Sequence, residues 1–439
     1  MPFGGCCVAS PTMTSSPSTS PDTPVSAHGL SLAPLRGLRP AVDDARLGAL
    51  LSPPYDVIDA ARREQLLAGD PDNVVAVILP EPTPEGYASA ARSLQDRVDG
   101  GQLQVDESPA LYVYEMRDAD GQVTRGLLGA VELRDPADGV ILPHENTMAG
   151  PVADRLAVMT ATDTDLEPIY LVYDGGGAAS ALVAATGEQP ALAEATTPDG
   201  IRHRLWSVTD PAAHADVAAD LATRHALIAD GHHRYATYRE RQRLRTESDG
   251  AGPWDRGLAL LVDTTEFGPQ VHPIHRTVRG LSLDAAVSGL GGRATTTAVE
   301  SIDEALTRLS ASPGFAVALT DGERTVIVTD HDGALADAAA RPGEDVALAA
   351  LDVNVLHRGV IESVWHLEDD VAVVGYAHDV DEAIEQSRHV GGIAVLVRAT
   401  PVSDVARVAA HGARMPRKST LFTPKPASGL VLRRLSDQH

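Results

Sequence analysis

Cysteine is nearly absent from this chain. Its 439 residues include two, the adjacent Cys6 and Cys7 near the N-terminus, so neither a disulfide framework nor a cysteine-rich zinc site can be built. Aromatic residues make up 4% of a chain that is 43% hydrophobic, so Leu, Val and Ala must carry the packing. No apolar stretch approaches the roughly 18–20 residues that a membrane-spanning helix needs. The N-terminus has no basic stretch followed by an apolar one, which argues against a secretory signal and for the cytoplasm. Positive charge is also short, with 36 basic residues against 61 acidic ones and a formal net charge of −25. That field disfavours nucleic acid and acidic lipid as partners, so an anionic ligand would need a local basic pocket. The length suits two or three domains and leaves the oligomeric state open.

Two further scarcities are informative. Only Lys418 and Lys425 are lysines, and Asn73, Asn146 and Asn354 are the only asparagines. Arginine replaces lysine almost everywhere, as a GC-rich genome favours. A retained lysine is then either a chance survivor or a place where a compact ammonium is needed and a planar guanidinium will not serve.

Near the midpoint stands Ala229–Asp230–Gly231–His232–His233–Arg234–Tyr235. An apolar run, Ala226–Ala229, precedes it, and a stretch of good helix formers free of Gly and Pro follows. This reads as strand, tight glycine turn and helix, with Asp230 or the turn at the helix start. Two imidazoles and a guanidinium would then sit beside the free N–H groups of a helix N-terminus, where anions are stabilised. The plain alternative is a turn whose histidines cap the helix or fill the core.

The chain divides into a disordered Ser/Pro/Thr-rich tail (1–29), an α/β domain (30–280) and a C-terminal α+β domain (281–439). The fold class is α+β, a mixed α/β protein with mixed sheets. Asp59 is placed to cap a helix over 60–67, and Val74–Leu79 reads as a buried strand. Residues 111–116 and 126–133 form an antiparallel pair, and 315–319 and 325–328 a hairpin turning at Asp321–Gly322. A helix over 402–410 stops before Gly412.

Three other places carry candidate chemistry. Pro143–His144–Glu145–Asn146–Thr147 sets a carboxylate beside an imidazole before a helix, which suits acid–base or metal work and equally suits capping. His272 and His275 are spaced for a metal only if helical, and Pro273 argues for extended chain, so His275 and Arg276 read better as a second anion contact. Both lysines lie in Met415–Leu430, among Ser419, Thr420 and Ser428. Lys418–Ser419–Thr420 is not a P-loop, because the glycine lead-in is missing. Interleaved Leu421, Phe422, Leu430 and Val431 suggest a buried or pocket-lining edge rather than a solvated tail.

Pro53–Pro54–Tyr55–Asp56–Val57–Ile58, Pro143–Thr147, Ile228–Tyr235, His275–Arg276 and Met415–Leu430 together resemble a bacterial family of unknown function, DUF1015. The likeness covers nearly everything after residue 30. The central string more distantly resembles the ParB/sulfiredoxin superfamily, whose Gly-x-(His/Arg)-Arg turn meets nucleotide phosphates, so a ParB/sulfiredoxin-like motif within a larger mixed-sheet protein is implied. Sulfiredoxins require a cysteine where this chain has His232, which excludes their chemistry. ParB proteins carry a glutamate there and a DNA-reading domain afterwards, which this chain lacks. The branch with Asp-Gly-His-His-Arg is similar to free serine kinases, which implies phosphoryl chemistry on a small metabolite.

Under that implication, Gly231, Arg234, Lys418, Ser419, Thr420, Lys425, His275 and Arg276 would hold phosphate groups of ATP, ADP or a phosphorylated metabolite. Asp230, His232, His233, His144 and Glu145 would serve in proton transfer, and Asp230 and Glu145 could bind Mg²⁺. A nucleotide-sensing protein without turnover and a metal-dependent hydrolase stand as alternatives.

Overall fold

The computed structural model describes Met1, residues 29–416 and residues 418–438. The expectation of a disordered tail falls on residues 2–28, which lie outside the described residues.

A nine-stranded mixed sheet forms the first layer. Its main path runs Ile141–Leu142, Ala226–Asp230, Ile169–Tyr173, Arg256–Asp263, Val123–Glu132, Leu111–Arg117, Arg202–Val208, Ala193–Thr196, with Leu32–Ala33 added alongside Val123–Glu132. Side chains alternate between its two faces, as a period of two requires. Tyr112, Tyr114, Met116, Leu128 and Ala130 enter one apolar cluster, while Leu111, Val113, Leu127 and Val131 enter another. Both faces are therefore buried, which explains why these strands read as continuous apolar runs rather than as alternation. The pair expected at 111–116 and 126–133 is present, with Leu111–Arg117 antiparallel to Val123–Glu132.

A six-stranded antiparallel sheet forms the second layer, in the order Ala294–Val299, Thr325–Asp330, Ala316–Thr320, Ile393–Leu396, His275–Val278, Val374–Ala377. Its hairpin turns where expected, because the Asp321 carboxylate accepts the N–H groups of Glu323 and Arg324 while Gly322 takes a φ of 85°. Helix Val402–Ala410 also forms, and Gly412 follows it in the left-handed region at φ 72°.

After that helix the chain packs back against one face of the first sheet and pairs with short strands outside it. Leu421–Thr423 pairs with Gln270–His272, Leu432 bridges to Leu38, and Arg433–Arg434 pairs with Thr164–Asp165. Phe422, between the lysines, and Leu430 and Val431, after the second of them, anchor this return and are all buried.

One expected element differs. Val74–Leu79 is not a strand; Val75–Ile78 is a short helix. The cause is Asn73, whose carbonyl oxygen accepts the Val75 N–H at 2.9 Å while its amide donates to Ala49 and Leu51 carbonyls at 2.8 and 2.7 Å. A buried side chain that captures three backbone groups turns the chain before a ladder can form.

Candidate functional site

Strand Ala226–Asp230 leads through Gly231 into the helix His232–Asp249. Gly231 takes φ 93° and ψ 31°, a left-handed conformation that a Cβ disfavours. Gly231→Ala is expected to lower unfolding stability by about 1–2 kcal/mol, read from the urea midpoint. No side chain caps this helix, and the first N–H with an intrahelical partner is that of Tyr235, 2.8 Å from the Gly231 carbonyl. The N–H groups of the first turn thus form a positive end beside Asp230.

The C-terminal segment meets this turn. Lys425 Nζ lies 2.6 Å from Asp230 Oδ1 and 3.4 Å from Asp56 Oδ2. Arg234, four residues into the motif, pairs with the other Asp230 oxygen and donates to the Pro168 carbonyl. Burial alone would raise the Asp230 carboxyl, but Lys425 and Arg234 more than offset it and hold it below the ordinary carboxylate range. Burial would lower the Lys425 ammonium, and Asp230 and Asp56 reverse this to a net rise. Both groups are thus held charged. Arg234, expected to reach out to a ligand, is instead 2% exposed with two donors engaged, and its buried Nε has no partner.

The histidines form a second tier. His232 Nε2 accepts the His144 N–H at 3.2 Å, and His233 Nε2 accepts the Met148 N–H at 3.1 Å. Acceptance at Nε2 puts the proton of each neutral ring on Nδ1. Burial, then the neighbouring His144 and His233, drives His232 well below its ordinary pKa and keeps the ring neutral. His233 is lowered mainly by its partial burial. The His144 ring stands edge-on to His232 at 4.5 Å between centroids, and its Nε2 is 3.0 Å from Thr420 Oγ1.

Burial lowers His144, His203 and His275 from 6.5 to about 4. The unfolded chain therefore binds protons at these rings before the folded protein does. Their contribution to stability is complete above pH 6.5 and is lost as the pH falls through about 4. The urea midpoint is expected to be clearly lower at about pH 5 than at about pH 7.5. Glu145 and Glu167, both raised, act in the opposite sense across the carboxylate range.

Burial pushes the Glu145 carboxyl up; Lys418 pulls it down, and Asp230 adds to the rise. Asn146 and Lys418 are exposed, Lys418 at a φ of 55°, and Ser419 is buried with its hydroxyl donating to the Pro416 carbonyl at 2.6 Å.

The sequence reading missed Glu167. This buried carboxylate accepts the Tyr55 N–H and the Ser428 hydroxyl, each at 3.0 Å, and so ties two of the motif segments together. Burial raises it, while Arg234 and then Arg155 pull it down. Arg155 in turn lies 4.2 Å from the Tyr55 ring centre. The available signal was a charge inside the apolar run Leu166–Tyr173, since a buried charge requires partners.

His275 and Arg276 are held by partners of the second sheet, with Arg276 near enough to Glu145 to feel its charge. His275 Nδ1 accepts the Val397 N–H at 3.2 Å. Arg276 donates to His357 Nε2 at 2.9 Å and to the Ile274 carbonyl, and lies 4.8 Å from the Tyr376 ring centre. Both are consumed by the packing of the second sheet. No group of three or more His, Cys, Asp or Glu residues arranged for a metal ion occurs among the described residues. Asp230 engages one oxygen with Lys425 and the other with Arg234, so Mg²⁺ binding at that carboxylate would have to displace one of them.

Two cavities flank the turn. A groove of about 900 Å³ is bordered by Glu145, Asn146, His232, Arg239 and Arg414. A smaller cavity of about 420 Å³ is bordered by Lys425 and by Pro53 and Pro54.

A mixed-sheet protein whose C-terminal lysine closes on an uncapped helix turn is the class that fold and site define. The chain belongs to the family described as "Protein of unknown function (DUF1015)", whose profile matches residues 32–354. No curated protein matches it. Among solved structures it is similar to a conserved hypothetical protein from Pyrococcus furiosus, at 16% identity and a TM-score of 0.33 over 68% of this chain and 94% of that one. It is also similar to a free serine kinase in complex with AMP, at 16% identity and 0.33 over 66% and 88%. SbnI with a C-terminal truncation, from Staphylococcus aureus, matches at 12% identity and 0.36 over 70% and 87%.

Proposed function

We propose that the protein binds the phosphate groups of a nucleotide or phosphorylated small metabolite at the start of helix His232–Asp249, and transfers or removes a phosphoryl group. One observation carries this reading: Lys425 is seated on Asp230 beside a helix N-terminus that no side chain caps. Backbone N–H groups of the first turn, Lys425 and the exposed Lys418 are the phosphate donors. His233 adds its Nδ1–H. Asp230, held ionised, accepts the proton of an attacking hydroxyl as the new P–O bond forms and the bond to the leaving phosphate oxygen breaks. Glu145, raised toward its neutral form, is suited to return a proton to that leaving oxygen.

Serine or phosphoserine is the substrate that the serine-kinase-like motif suggests. Incubation with ATP, ADP or CTP plus serine, and separately with phosphoserine, followed by phosphorus NMR, tests the reading. Product formation supports it. Thermal stabilisation by nucleotide without turnover supports instead a sensor, which the engagement of both Asp230 oxygens favours. Neither product nor stabilisation sinks both.

A further inference from the structure

The smaller cavity is built differently from the anion site it adjoins. Lys425, the rigid Pro53–Pro54 segment and Arg62, at the start of helix Ala60–Gly69, all line it. Two neighbouring turns of the first sheet, at the end where Arg117 pairs with Arg202, contribute Asp118 and Asp199. Asp118 sits in the turn after Leu111–Arg117, and Asp199 between Ala193–Thr196 and Arg202–Val208. The floor is apolar, with Leu51, Ile201 and Ala427 among its residues. At about 420 Å³ the space falls near the lower end for small-molecule pockets.

Charge decides what fits. Lys425 and Arg62 are cationic, Asp118 and Asp199 anionic, so the lining carries both signs with no net charge. A polyphosphate entering here meets two carboxylates as well as two cations and gains no net attraction; it is better placed at the helix N-terminus. A simple cation meets Lys425 and Arg62. A ligand with one anionic and one cationic end satisfies both signs, and a short apolar middle matches the floor. The cavity's charges are also already partly held in place. The Asp118 carboxylate accepts the Gln122 N–H at 2.9 Å, and Arg62 donates to Gln65 at 2.7 Å, each leaving further capacity.

We propose that this cavity is a binding site for a compact zwitterionic metabolite, with its anionic end toward Lys425 and Arg62 and its cationic end toward Asp118 and Asp199. Its place as the second substrate rests on the phosphoryl-transfer reading above; the binding itself does not.

Four hydroxyl-bearing probes of similar size separate the charge types: L-serine (zwitterion), glycerate (anion), ethanolamine (cation) and glycerol (neutral). Calorimetric titration of the full chain is expected to show the zwitterion binding at least about tenfold more tightly than the other three. Asp199→Asn and Arg62→Gln, in a surface turn and at a helix start, are each expected to weaken it about tenfold or more, and Arg308→Gln, on the exposed helix Ile302–Ala311, to leave it unchanged. Equal or tighter binding of glycerate or glycerol, binding of none of the four, or indifference to both cavity variants would overturn the assignment. Pyrophosphate titrated in parallel tests the anion site. Zwitterion binding without pyrophosphate binding removes the phosphoryl reading and leaves the cavity standing; pyrophosphate binding alone does the reverse.

Discussion

Lys425→Met is expected to weaken pyrophosphate binding by about a hundredfold or more and to abolish any phosphoryl turnover, while the protein stays folded. The separation of binding from folding follows from the geometry. Asp230 keeps its pair with Arg234 when Lys425 is lost, so no buried carboxylate is orphaned. What disappears is the ammonium that sits, 18% exposed, between the helix turn and the smaller cavity. Lys425→Arg is expected to restore little, because a planar guanidinium does not fit where a compact ammonium bridges two carboxylates. The lysine is raised above its ordinary 10.5, so its contribution persists across neutral and moderately alkaline pH. Calorimetry with pyrophosphate, alongside a circular dichroism melt, checks both halves. Wild-type affinity in Lys425→Met would remove the central claim about the site.

That variant also separates two roles that charge counting confuses. Arg234 and Lys425 both touch Asp230, yet Arg234 is buried against the Pro168 carbonyl while Lys425 keeps one side toward a cavity. The first holds the turn's shape. The second remains able to change partners, from a carboxylate to an incoming anion, without moving the fold. A site that is nearly charge-balanced when empty loses little stability by existing in an acidic protein, and an anion that draws Lys425 away leaves Asp230 with an oxygen free to take a proton.

Local chemistry was legible in the sequence. The Asp230–Gly231 turn, the Asp321–Gly322 hairpin, the Asp59 cap and the stop at Gly412 all depend on a few neighbouring residues, and all four formed. Long-range pairing was legible only where composition marked it. Lys425 and Asp230 are 195 positions apart, and the rarity of lysine alone drew them into one site. Glu167 carried no comparable mark, although its position inside an apolar run was a signal. His275 and Arg276 show what sequence leaves open. A basic pair in a strand looks the same whether it faces a ligand or its own sheet, and the partners Val397 and His357 are invisible until the chain is folded. Val74–Leu79 failed because a short apolar run fits a buried helix as well as a strand, and the deciding side chain was the residue before it.

Asp165→Ala is expected to cost about 3–5 kcal/mol of stability, the largest effect of any single substitution considered. Asp165 is fully buried and accepts Arg433 Nη1 at 2.9 Å and the Leu258 N–H at 3.1 Å, while Arg241 lies 2.5 Å from its other oxygen. Its removal strands two guanidinium groups in the interior, Arg433 at 2% and Arg241 at 4% exposure. Arg433 belongs to the returning C-terminal segment and Arg241 to the helix whose first turn is the proposed anion site, so this one carboxylate fastens the strap to the helix. The loss should therefore appear twice. Urea unfolding reads the stability, and pyrophosphate affinity should fall as well, although Asp165 is remote from the ligand, because Lys425 rides on the loosened strap. Combining Asp165→Ala with Arg433→Met and Arg241→Met is expected to recover much of the stability by removing the stranded charges, but not the affinity, since the strap's tether stays broken. A stability loss below about 1 kcal/mol in the single variant would show that the buried triad is not what holds the segment down.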